Sequence, residues 1–152
     1  KPAMTFFNNQ ESAHKELFGG LYNWHAVKTN KLCPTGWRVP NKDDYQTLIN
    51  TLGGASVAGG KMKDTGLQHS GTGYWEKPNE GASNSSDFTG HPGGYRSAGG
   101  SFAGFGSNGN WWLQEDINAI MGEYFTLHFQ LSDIKLEKFD KKGGLSIRCI
   151  KE

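Results

Sequence analysis

The chain lacks a block of positive charge. Its 16 basic and 15 acidic residues leave a formal net charge of +1, and the basic residues never cluster as nucleic-acid binding requires. Long apolar runs are also missing. None approaches the roughly 20 residues needed to span a bilayer, so no membrane span is expected. Cysteine is scarce: two residues, Cys33 and Cys149, among 152. That excludes a cysteine-rich mini-scaffold and a four-cysteine zinc site. The five histidines show no paired spacing of the His-Glu-x-x-His kind. The glycine runs Gly99-Gly100 and Gly104-x-Gly106 lack the strand, helix and lysine of a phosphate cradle. Paired metal ligands, a phosphate loop and a nucleophile beside its base are therefore all absent as local signals. No cofactor is expected.

Two residue classes are abundant. Glycine occurs 22 times, about twice its ordinary share of roughly 7%. Aromatics include nine Phe, five Tyr and five Trp. Between Gly81 and Asn110 there are nine glycines, six serines and three asparagines. Trp75, Phe88, Tyr95, Phe102, Phe105, Trp111 and Trp112 lie in or beside this stretch, and disordered segments are depleted in such rings. We read it as ordered loops with short strands near 94–102 and 110–113.

The clearest local element begins at Asn41. Its side chain can cap a helix, Asp43 and Asp44 suit the positive end of the dipole, and Tyr45, Leu48, Ile49 and Leu52 form one apolar stripe. Gly53 can close it, so the pattern predicts one main helix over about 42–52. Ser12 to Phe18 reads as a minor helical turn. Leu21 to Val27 alternates and reads as a strand, whereas the Gly/Ala/Ser stretch 53–60 reads as a loop. In 123–131, Phe125, Leu127, Phe129 and Leu131 share one face, which predicts a half-buried strand. Further strands are expected at 134–139 and 145–150. The length fits a single domain, 1–152, with a real core.

A bridge between Cys33 and Cys149 would close a loop of over about a hundred residues and contribute more than about 4.5 kcal/mol on the loop-entropy model. The alternative is two buried free thiols. We expect the bridge, hence an oxidising, extracytoplasmic compartment. The chain starts at Lys1 without an initiator Met, and we expect a mature or trimmed fragment.

Five segments occur in a telling order: Leu21-Tyr22-Asn23-Trp24, Leu32-Cys33-Pro34-x-Gly36-Trp37-Arg38-Val39-Pro40, Gly93-Gly94-Tyr95-Arg96, Trp111-Trp112 and Ser146-Ile147-Arg148-Cys149. In these the chain resembles the Fibrobacter succinogenes major paralogous domain, from about Phe6 to Lys151. The resemblance implies an α+β, C-type lectin-like fold: a small twisted antiparallel sheet, one main helix and long loops. It also implies a secreted or cell-surface protein, an outer-membrane lipoprotein among them, and a distant likeness to formylglycine-generating enzymes. Those enzymes use reactive cysteines with copper, and a structural bridge here would leave no thiol for such chemistry. C-type lectins often hold sugar through calcium, which wants about six to eight oxygen ligands. Here Glu76-Lys77-Pro78-Asn79 carries an inserted Lys, and Asn110-Trp111 is not followed by Asp. Glu115 and Asp116 are the candidate calcium ligands, a minor alternative to no metal at all.

These readings lead to a non-catalytic recognition or adhesion module. It would bind a glycan or a surface protein at the long-loop face, through Tyr74, Trp75, Asn79, Phe105, Trp111, Trp112 and Glu115. A purely structural display module is the alternative, and a divergent enzyme the third reading. The compartment argument is checked by thiol titration of the unreduced, denatured chain. No free thiol is expected; two would remove the argument.

Overall fold

A computed structural model describes residues 1–152. In chain order the elements are β1 (Met4–Thr5), α1 (Glu11–His14), β2 (Leu21–Tyr22), α2 (Trp24–Val27), β3 (Trp37–Arg38), α3 (Lys42–Thr51), α4 (Ala55–Met62), β4 (Gly93–Arg96), β5 (Phe102–Phe105), β6 (Asn108–Asp116), β7 (Met121–His128), β8 (Ile134–Asp140) and β9 (Ile150–Lys151). The architecture is mixed α+β with four small sheets: β1-β2, β3-β9, β4-β5 and the three-stranded β6-β7-β8. Every strand pair in them is antiparallel. None of the helices is long and apolar enough to cross a membrane.

The main helix forms as its sequence dictates. Asn41 Oδ1 accepts from the Asp44 amide at 3.0 Å, and Asp44 Oδ2 accepts from the Asn41 amide at 2.8 Å. This reciprocal capping box satisfies two orphan donors. Tyr45 and Ile49 are buried, with Leu48 and Leu52 packed beside them.

Two expectations fail at neighbouring helices. Only Leu21–Tyr22 of the expected strand 21–27 is a strand. Asn23 Oδ1 accepts from the Ala26 amide at 3.0 Å and starts α2, which buries Trp24, Ala26 and Val27. The stretch read as a loop at 53–60 contains most of α4. Gly59 and Gly60 are needed there because a Cβ would strike the Asp133 and Gly81 carbonyls. The helix backbone lies directly against the β7–β8 turn, and that packing outweighs the poor helix propensity of glycine. A third difference is at the end of the chain. The expected strand 145–150 is split, because Gly144, Leu145 and Ser146 bridge to Arg96, Tyr22 and Trp111 in turn, before Ile150–Lys151 pairs with β3.

The central sheet divides two cores. Successive strand residues face opposite sides, so Trp111 and Leu113 enter the larger core with Tyr45, Met62, Trp75, Phe125 and Leu127. Trp112 enters the smaller one with Trp24, Val27, Val39 and Leu145. Cys33 and Cys149 are joined, with Cα atoms 5.8 Å apart across 116 positions of sequence. A disulfide accords with an oxidising environment.

The long loop is ordered from inside. Lys63, at the end of α4, is fully buried. Its ammonium donates to the carbonyls of Glu80 at 2.7 Å, His128 at 3.0 Å and Leu131 at 2.8 Å. Burial pushes Lys63 down to about 8. Lys63→Met leaves three carbonyls without their donor and is expected to lower stability by about 3 kcal/mol at pH 7. Because the folded-state value lies below the ordinary 10.5, the unfolded chain holds more protons between those two values, so the Lys63 contribution rises with pH across that window. Denaturant titrations of parent and variant at pH 7 and pH 9.5 check both, the gap widening at the higher pH.

Candidate functional site

The aromatic residues expected to face a ligand mostly face the core. Trp75 is fully buried, and its indole N–H donates to the Gly90 carbonyl at 2.9 Å. Trp111 is buried and stacks on Phe125 at 5.3 Å. Trp112 is fully buried and donates to the Tyr22 carbonyl at 2.7 Å. Asn79 is buried too, its amide holding the Asp64 and Gly66 carbonyls at 3.0 and 3.1 Å. Trp75, Trp112 and Asn79 have no exposed face for a ligand, and Trp111 keeps only 6% of its surface exposed. The reason is physical: a glycine-rich loop has little aliphatic side chain of its own, so its rings become its core.

Tyr74 and Phe105 remain half-buried. They belong to one aromatic wall. Phe18 meets Tyr74 at 5.2 Å, Phe105 at 4.8 Å and His91 at 5.8 Å, all edge-on. Glu115 and Asp116 do not converge on a common point. Glu115 Oε1 accepts from the Lys42 amide at 2.9 Å. Asp116 accepts from Lys141 at 2.5 Å and lies 3.8 Å from Lys28. No group of three or more His, Cys, Asp or Glu side chains is arranged to hold a metal ion.

Beside the aromatic wall lies a cleft of about 390 Å³, where 15–20, Thr89, His91 and the closing segment meet. Phe18, Tyr22 and Trp111 line it, together with Glu16, Ser146 and Arg148. The His91 ring is fixed from both sides, by the Leu17 carbonyl at 2.9 Å and the Asp64 carboxylate at 3.1 Å. Neither ring nitrogen is left to activate a hydroxyl or water. Arg148 is exposed and lies 4.7 Å over the Phe88 ring, without a carboxylate partner. The candidate residues drawn from the sequence did not include Arg148.

A second concavity, of about 290 Å³, adjoins the disulfide. Trp37 and Arg38 line it, next to Cys33. Two bonds, of 2.5 and 2.9 Å, clamp Arg38 to Asp44, so the capping residue of α3 also fixes the cysteine loop.

Fold and clefts together define a class: a disulfide-tied α+β domain whose loops are packed around their own tryptophans. The model of the Fibrobacter succinogenes major domain matches residues 1–151, and the chain belongs to that family. No curated protein and no solved structure matched it.

The Arg38 guanidinium holds the Asp44 carboxyl below its ordinary value, with the Asn41 amide adding to the effect. A depressed carboxyl stabilises the fold above the unfolded-state value, and that contribution is lost as pH falls through the folded-state value. Asp44→Asn is expected to cost about 1–3 kcal/mol at pH 7, with the gap from the parent closing below about pH 4. Denaturant titrations at pH 7 and pH 3 measure it.

Proposed function

We propose that the chain is a non-catalytic recognition module of an extracytoplasmic protein, binding a glycan or a surface protein at its loop face. The observation that carries this reading is the cleft beside the aromatic wall, where Arg148 forms no ion pair although Glu16 also lines the cleft. An aromatic side wall with a few fixed polar groups is the ordinary make-up of a binding site. The disulfide supports a location outside the cytoplasm, on a secreted or cell-surface protein, an outer-membrane lipoprotein among the options. The many short antiparallel pairs, one main helix and long loops accord with a C-type lectin-like arrangement. The fixed His91 ring argues against a general base in the cleft, which leaves a divergent enzyme as the weakest reading. The alternative with its own support is a display module, since Trp75, Trp111 and Trp112 are all used inside the fold.

A glycan array and a pull-down from surface extracts, run with the parent and Arg148→Ala, separate these readings. Recognition at the cleft expects a ligand whose binding falls about tenfold or more in the variant. Stability should hold within about 0.5 kcal/mol, as for an exposed side chain. Folded parent that captures nothing in either assay favours the display module.

A further inference from the structure

The concavity beside the disulfide shares no lining residue with the Arg148 cleft. Trp37 there is 44% exposed, while the other four tryptophans are buried. In a chain that spends its indoles on its cores, this one is held at the surface. The backbone that carries it is also held in place. Trp37 pairs with Lys151 in the β3-β9 ladder, its amide donates to the Pro34 carbonyl at 2.9 Å, and Cys33 is bridged to Cys149. Such fixing removes much of the ordering cost of binding.

Two amides complete the wall. Gln114 Nε2 donates to Asn30 Oδ1 at 3.0 Å. That bond leaves the Gln114 carbonyl oxygen and the Asn30 amide nitrogen unspent, one acceptor and one donor side by side. Arg38 is already neutralised by Asp44, and Glu152 adds a carboxylate at the rim. The pocket therefore offers an anion no free positive charge.

We infer that this pocket is a binding site for a neutral saccharide unit. The apolar C–H face of a pyranose lies on the Trp37 indole, and neighbouring hydroxyls bond the Asn30 and Gln114 amides. A planar ring beside paired donors and acceptors matches a sugar, which has one apolar face and an edge of hydroxyls. A proline-rich peptide fits less well, because such ligands lie across grooves of several aromatic side chains, and here one indole stands over a polar floor. The site goes beyond the loop-face reading and stands if that reading fails.

The test titrates the ¹⁵N-labelled parent with neutral hexasaccharides of glucose, mannose, xylose, galactose and N-acetylglucosamine. The Trp37 indole N–H resonance and protection from acrylamide quenching are followed, and binding by the variants is read from the backbone amide resonances around Asn30, Gln114 and Lys151. At least one sugar is expected to move that resonance and shield the indole. Trp37→Ala, and independently Gln114→Ala, should each weaken binding by about tenfold, whereas Arg148→Ala should leave it unchanged. Arg148→Ala thus reads the cleft and Trp37→Ala reads this pocket, so the two ideas fail separately. The inference is overturned if no sugar of the panel moves the Trp37 resonance. It is also overturned if binding survives both the Trp37 and Gln114 changes, or if a proline-rich peptide moves the resonance where no sugar does.

Discussion

Three consecutive residues near the end of the chain hold the fold together. Gly144 exchanges main-chain bonds with Arg96, at 2.8 and 2.9 Å. Leu145 exchanges them with Tyr22, at 3.0 and 2.7 Å, and Ser146 bonds Asn110 and Trp112, at 3.1 and 3.0 Å. The N-terminal strand, the loop strand β4 and the central sheet thus share one connecting segment. The three two-stranded sheets are each too small to be stable alone, and the bridges tie them to one another and to the central sheet. Cys149 lies three residues further on and carries the same segment to the loop ahead of α3. The order of the chain matters here: the closing segment bonds to strands made from both earlier parts of the sequence, so the fold depends on contacts far apart in sequence.

The long loop depends on a different device. A stretch of this length with little regular structure must still satisfy its backbone groups. Lys63 does so for three carbonyls from two separate turns, and the Asn79 amide does so for two more. Trp75 closes the same region by bonding Gly90 and lying 5.5 Å from the Lys63 ammonium. A cation at this point takes the coordinating role that a bound metal would have in an oxygen-lined loop. The loop is consequently a packed element, and its rings are committed before any ligand arrives. That commitment moves the candidate binding groups away from Trp75, Trp111 and Trp112, toward Arg148 and Trp37.

What was legible in the sequence follows the range of the forces involved. The helix 42–51 was readable because its cap, first-turn acids and apolar stripe are all local. The strand expected at 123–131 was readable from alternation, but it spans 121–128 and ends at His128, because Phe129 to Leu131 belong to the turn before β8; the strand expected at 134–139 forms over 134–140. Helix α4 was hidden because its glycines make sense only beside the Asp133 and Gly81 carbonyls, which lie distant in sequence. Helix α2 was hidden because Trp24 and Ala26 fit a strand's alternation while Trp24 and Val27 fit a helical turn, and the Asn23 cap decides between them. The pair Trp111-Trp112 illustrates the limit at the candidate site. Alternation requires opposite faces, and that was foreseeable. That both faces of the sheet are covered was not, because the second cover comes from Trp24, Val27 and Leu145, elements with no sequence signal pointing to β6.

The same alternation explains why two surfaces could arise next to one bridge. Along the closing segment Cys149 turns to the bond with Cys33 while its neighbour Arg148 stays exposed, over the Phe88 ring. Along β3 Arg38 turns to Asp44 while its neighbour Trp37 stays exposed. In each pair one residue fixes the backbone and the adjacent one is left for the surface. A short segment tied covalently or by a bidentate ion pair fixes the backbone from which its outward side chain projects. A fold of four small sheets can therefore present rigid surface groups at several places, each supported by a structural partner one position away.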